Sequence, residues 1–136
     1  TMGCAVAADT APARKIDFTT VLMDLDDKPF TECTKPDEAD RTKCAEGARV
    51  DVTLGFLCRR VLDVVRLRGE ETLSSDEISR RGQLARFVYK AKDAELDSDE
   101  VSLIKKLIAG TTIQTTMAEA ALRLLDPASV KDRRSR

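Results

Sequence analysis

Four acidic side chains at alternate positions, Asp93, Glu95, Asp97 and Asp99, imitate the opening of a calcium-binding loop. Such a loop needs a glycine at its sixth position and a bidentate glutamate at its twelfth. Here those positions hold Ser98 and Ile104, and Glu100 stands where the eighth residue is usually apolar. A solvated turn leading into a helix cap accounts for the same residues without a cation. The cysteines, Cys4, Cys33, Cys44 and Cys58, contain no C-x-x-C pair, and the chain has 0 histidines. Structural zinc is therefore not expected, nor is a cysteine nucleophile, which would lack its usual base. Cys58 falls on the apolar face of a helix and reads as a small hydrophobe. Cys33 and Cys44 flank a polar loop; in an oxidising compartment they could form a disulfide stapling it, and in a reducing cytoplasm they would be free thiols. Asp24, Asp26 and Asp27 offer paired carboxylates, but on an exposed turn with nothing to raise a pKa. No phosphate loop, dinucleotide fingerprint or serine elbow is present. The expectation is a protein that is not an enzyme and holds no metal or cofactor.

The basic side of the chain offers a second chemistry. Between Arg59 and Lys92 nine Lys and Arg stand against five Asp and Glu, an excess of four. With the arginine-rich tail this could face phosphates, through Arg59, Arg60, Arg80 and Arg81. Solvated helix faces carry such charges as well. A formal net charge of −1 and few aromatic residues (4%) weigh against strong nucleic-acid binding.

The elements that must carry these residues centre on 73–110, read as two capped amphipathic helices joined by the acidic turn. Ser74 caps the first, with Glu77 placed to complete a capping box. Ile78, Leu84, Phe87, Val88 and Ala91 form its apolar stripe. Gly82 lowers helix propensity there by roughly 1 kcal/mol; close approach of another helix would compensate, and a merely weak helix is the alternative. The second helix starts at Asp97 with Glu100 three residues on. It ends at Gly110, where a left-handed residue is expected. Thr53 caps a helix running to about Leu67, with Gly69 beyond it, and a last helix spans about Thr112 to Leu125. In 17–30, Phe18, Val21, Leu22 and Leu25 keep helical spacing although Thr-Thr-Val-Leu-Met favours strand; the spacing predicts a short helix and then a turn at Asp26-Asp27. Residues 32–49 are polar and acidic, a loop long enough to be functional or disordered.

The reading is thus all-α: a compact bundle of four longer helices with a short N-terminal element and a polar loop. It divides into a flexible arm (1–15), one helical domain (16–126) and a basic flexible tail (127–136). A hydrophobic fraction of 42% beside 35% charged residues fits a thin aliphatic core in a charged surface. No apolar run is long enough to span a bilayer. Ala-Val-Ala before Ala8 would pass as a signal-peptidase site, but no basic region or apolar segment precedes it in the sequence. The expected compartment is the cytoplasm, with export the alternative if an upstream segment is missing.

DFTTVLMDLDDKP, the Thr-capped DVTLG, LSSDEISRRGQLA and AELDSDEVSLIKKLI together resemble small proteins of tailed phages and prophages, most without an assigned function, over roughly residues 16–126. Asp26-Asp27 stands where that pattern more often has Asp-Gly, and the Cys33–Cys44 loop looks like an insertion. The resemblance implies phage origin and a helical fold, and carries over no active-site residues. The expected function is a protein-binding module acting in virion assembly or on a host factor. Its contact surfaces would be the acidic loop, through Glu38 and Asp40, and the outward face of the 54–67 helix, through Arg60. The alternative is a nucleic-acid-binding regulator using the four arginines; a third reading is an exported module stapled by Cys33 and Cys44. The oligomeric state is left open.

Overall fold

The computed structural model describes residues 14–129. The expected arm, apart from its last two residues, lies outside them, as do Cys4 and the tail beyond residue 129.

Three of the helix starts follow from their caps. Thr53 accepts the Phe56 amide at 3.1 Å and opens helix α1, Leu54–Val64. Ser74 accepts the Glu77 amide and opens α2, Ser75–Val88. Asp97 and Glu100 form a complete capping box, at 2.8 and 3.0 Å, on α3, Ser98–Ala109. The last helix, α4 at Thr115–Leu125, has no side-chain cap at Gln114. Pro127–Ser129 adds a single 3₁₀ turn.

The all-α expectation is wrong, because two small antiparallel sheets accompany the four helices. Strand β1, Arg14–Ile16, pairs with β4, Ala94–Leu96, the latter inside the segment read as an acidic turn. Ala94 and Leu96 are buried while Glu95 faces out, a period of two too short to stand out in the sequence. Strand β2, Thr31–Cys33, pairs with β3, Arg49–Asp51, and makes a ribbon of the expected polar loop.

The predicted helix over 17–25 is also absent. Asp17 does act as a cap, but of a turn: its carboxylate accepts the Thr19 amide at 2.9 Å. The chain then runs extended, and three buried residues close a ring of backbone bonds. Leu22 N–H donates to Val52 O, Val52 N–H to Phe30 O, and Phe30 N–H to Leu22 O, at 2.7–2.9 Å. Amides that find partners this far along the chain have no need of a helix, and strand propensity prevails. Asp24 holds the following turn by accepting the Asp26 and Lys28 amides, and Asp27 there has φ +57°. Glycine is the residue that adopts this conformation most readily, and a non-glycine there is uncommon.

Around α1 the core is aliphatic, with Leu57, Cys58 and Val61 meeting Val88 of α2, Ile104 and Leu107 of α3, and Leu125 of α4. Burial pushes the Cys58 thiol well above the ordinary cysteine range, so it is an inert core side chain. Helix α1 stops at Val64, three residues before the expected end, and Val65 turns extended. The Leu67 amide just beyond is held by the Glu70 carboxylate at 2.9 Å. Gly110 is not left-handed (φ −89°); a Cβ there would lie 2.9 Å from the Leu67 side chain.

Helix α2 buries Leu84 and Val88 of the expected stripe, but not Ile78 or Phe87. Ile78 and Phe87 are 57% and 54% exposed, and Arg81, Leu84, Ala85 and Val88 face the core. Arg81 is 3% exposed, donating through Nε to Glu77 at 2.7 Å and through Nη2 to Glu70 at 2.6 Å. The Glu77 carboxylate is thereby drawn away from the Ser74 amide, and only half of the expected capping box forms.

Candidate functional site: a cleft at the foot of the ribbon

The ribbon's phase follows from two bonds, Val52 N–H to Phe30 O and Thr34 N–H to Ala48 O. They place Glu32 and Val50 as a hydrogen-bonded pair, so the backbone groups of Thr31, Cys33, Arg49 and Asp51 point to the two outer edges. Among the backbone bonds of the described residues none involves Arg49 or Asp51 across that outer side. Phe30 and Val52 of this series are buried in the core, and Glu32 pairs with Arg60 of α1. Beyond the strands a Cys33–Cys44 disulfide and the Asp37 N–H to Lys43 O bond close the loop.

Where the ribbon meets the helices there is a cleft of about 280 Å³ lined mainly by apolar surface. Val50 and Asp51 come from β3, Thr53 and Phe56 from the start of α1, Tyr89 and Lys90 from the end of α2, and Thr19 and Thr34 from the flanking turns. Val50 shares the ribbon face of Glu32 and Thr34, so β3 walls the hollow on one side while α1 and the end of α2 wall it on the other. Tyr89 is brought to Phe56 by the close crossing of α1 and α2: Gly55 lies so near the backbone that a Cβ there would meet the Tyr89 carbonyl oxygen at 2.1 Å. Arg59, one turn along α1, sets its guanidinium 5.3 Å from the centroids of both rings. Its Nε is buried without a hydrogen-bond partner. Lys90 lies 5.4 Å over the Tyr89 ring. Two wider hollows, of about 540 and 430 Å³, lie beside α2 and have mainly polar walls.

The residues nominated from the sequence are scattered. Glu38 and Asp40 are exposed on the loop that closes the ribbon, where Asp40 accepts the Thr42 hydroxyl at 2.6 Å and is held below the usual carboxylate range by it. Arg60 is at the ribbon's foot with Glu32, so these three do not converge on one patch. Of the four arginines proposed for phosphates, Arg81 is buried between Glu70 and Glu77, Arg80 is 3.4 Å from Glu77, Arg60 holds Glu32, and Arg59 lies on the aromatic rings. This arrangement argues against a shared phosphate-binding face. Among the described residues no group of three or more His, Cys, Asp or Glu could hold a metal ion, and no helix is long and apolar enough to cross a membrane. Phe56, Tyr89, Val50 and Lys90 were not singled out by sequence reasoning. Only the Phe56–Arg59 spacing of three was visible there, because Tyr89 joins them through tertiary packing.

The loop beyond Cys33 buries almost no apolar surface, with Ala48 its only buried side chain. Its order depends on hydrogen bonds and on the disulfide, which spans a sequence separation of 11. Chain-closure entropy puts the disulfide's contribution at about 3 kcal/mol at most. The double substitution Cys33→Ser, Cys44→Ser should therefore speed hydrogen exchange at the amides of Asp37, Lys43 and Ala45 while leaving Val61 protected. Unchanged exchange at the first three would mean that hydrogen bonds alone hold the loop.

No protein-family model, curated protein or solved structure matches this chain.

Proposed function

We propose that this protein is a non-enzymatic protein-binding module whose contact surface is the apolar cleft between the ribbon and the α1–α2 crossing. The observation that carries this reading is the cleft itself: apolar walls with two aromatic rings, threonines and one charge of each sign at the margin, and an open strand edge alongside. Its volume of about 280 Å³ is below the usual range of small-molecule sites, roughly 300–1,000 Å³, and suits one or two partner side chains. The resemblance to phage and prophage proteins points to a virion component or a host factor as the partner.

The test is capture from lysate of the native host by the full chain, with and without nuclease, read by mass spectrometry. A stoichiometric protein that survives nuclease and is lost with Val50→Asp, which puts a charge on the cleft wall, is the expected result. Capture abolished by nuclease would return the basic helices to consideration and sink this reading. A parallel Glu38→Gln, Asp40→Asn variant reads the ribbon tip separately; it should fold normally and, on the cleft reading, still bind.

A further inference from the structure

Resting on that reading, we propose that the cleft's occupant is an extended acidic segment of another protein. It would add as a strand to the free edge of β3, with an apolar side chain in the cleft and a carboxylate against Arg59 and Lys90. Three features of the site converge on this chemistry. The first is the edge: Arg49 and Asp51 present outward N–H and C=O groups with no backbone partner among the described residues, and an extended chain satisfies such a row as a helix cannot. The second is the cleft, whose wall includes Val50 and Asp51 of that strand and which has room for a side chain from a strand whose residues alternate between faces.

The third is charge. Arg60, Arg80 and Arg81 each hold a carboxylate of this chain, but Arg59 holds none among the described residues. Its guanidinium is half-buried on Phe56 and Tyr89, with Nε lacking any acceptor. A cation fixed on two rings beside an apolar cleft is short of an anion, and a carboxylate provides both the countercharge and the oxygen acceptors. Lys90 places a cation on the cleft wall itself, against the single carboxylate of Asp51. The local balance therefore favours an acidic partner strand over a basic one.

Selection of a displayed library of random 12-residue peptides on the full chain tests this directly. The enriched peptides should alternate apolar and polar residues and carry Asp or Glu. Binding should slow hydrogen exchange at the Arg49 and Asp51 amides. Asp51→Pro removes one outward N–H and leaves the β2–β3 bonds untouched, a place where an edge strand tolerates proline. It should weaken the enriched peptides about tenfold or more, and Arg59→Gln should do likewise for those with a carboxylate. Thermal unfolding of both variants checks that they remain folded; if Asp51→Pro does not, the exchange protection and Arg59→Gln still decide. Basic or helically spaced consensus sequences, no enrichment, or affinities unmoved by either folded variant would overturn the proposal. A host protein lost with Val50→Asp but retained by both Asp51→Pro and Arg59→Gln would leave the binding-module reading standing without strand addition. Nothing captured by the wild-type chain would remove both.

Discussion

Replacing Gly55 with alanine is expected to destabilise the protein by about 3 kcal/mol or more, although alanine is the better helix former. The added Cβ would lie 2.1 Å from the Tyr89 carbonyl oxygen and 2.9 Å from that of Val88. Both atoms belong to the backbone at the end of α2, so no side chain can rotate to make room. Helix α1 cannot easily withdraw, because the Gly55 amide donates to Phe18 O at 2.7 Å on the neighbouring segment. Gly82→Ala is the matching control: nothing lies within 4 Å of its would-be Cβ. It should stabilise by about 0.5–1 kcal/mol, the ordinary helix-interior effect. Urea unfolding of the two variants should thus give opposite signs. A Gly55→Ala protein as stable as wild type would mean that the α1–α2 crossing is looser than described, and Tyr89 would lose its fixed place in the cleft.

The second large effect is expected at Arg81. Arg81→Met keeps the length of the apolar stem but leaves Glu70 and Glu77 without their shared cation. Breaking a buried ion pair costs about 3–5 kcal/mol. Here the two carboxylates are 28% and 25% exposed and regain water, so a loss of about 2–3 kcal/mol is expected. The pH dependence separates this from a packing effect. Glu77 is held below its ordinary value of 4.5 chiefly by the Arg81 hydrogen bond, and Glu70 by the Leu67 amide first and Arg81 second. Carboxylates with depressed folded pKa values contribute stability that is present above about pH 4.5 and lost as pH falls through those values. The wild type should therefore weaken in acid more steeply than Arg81→Met, and the gap between them should narrow below pH 4.5. A gap independent of pH would assign the loss to packing alone.

The same arginine shows where sequence reasoning about α2 went astray. Positions 81, 84, 85 and 88 are a sound helical stripe once a satisfied arginine is admitted to it, but an apolar pattern passes over Arg81 and takes Ile78 and Phe87 instead. Glu70, which makes Arg81 tolerable inside, lies in the preceding turn and carries no local signature. The close helix approach offered as one reading of Gly82 is found instead at Gly55. A glycine inside a predicted helix draws notice, whereas the requirement at Gly55 comes from a carbonyl on another helix. In the cleft, Phe56 and Arg59 are a turn apart on α1, yet without Tyr89 they form an ordinary exposed pair.

What the sequence determined by itself is local: the caps at Thr53, Ser74 and Asp97 and the aliphatic faces of α1 and α3, each specified by residues within a turn or two of one another. Tertiary structure alone decided that 14–16 pairs with 94–96, that 17–30 is made of turns and short extended pieces and not a helix, and that the acidic loop is a ribbon. Strands of three residues are too short to show a period, and their stability comes from partners elsewhere in the chain. The cleft belongs to this second class, since its walls come from β3, α1, α2 and two turns that only the fold brings together.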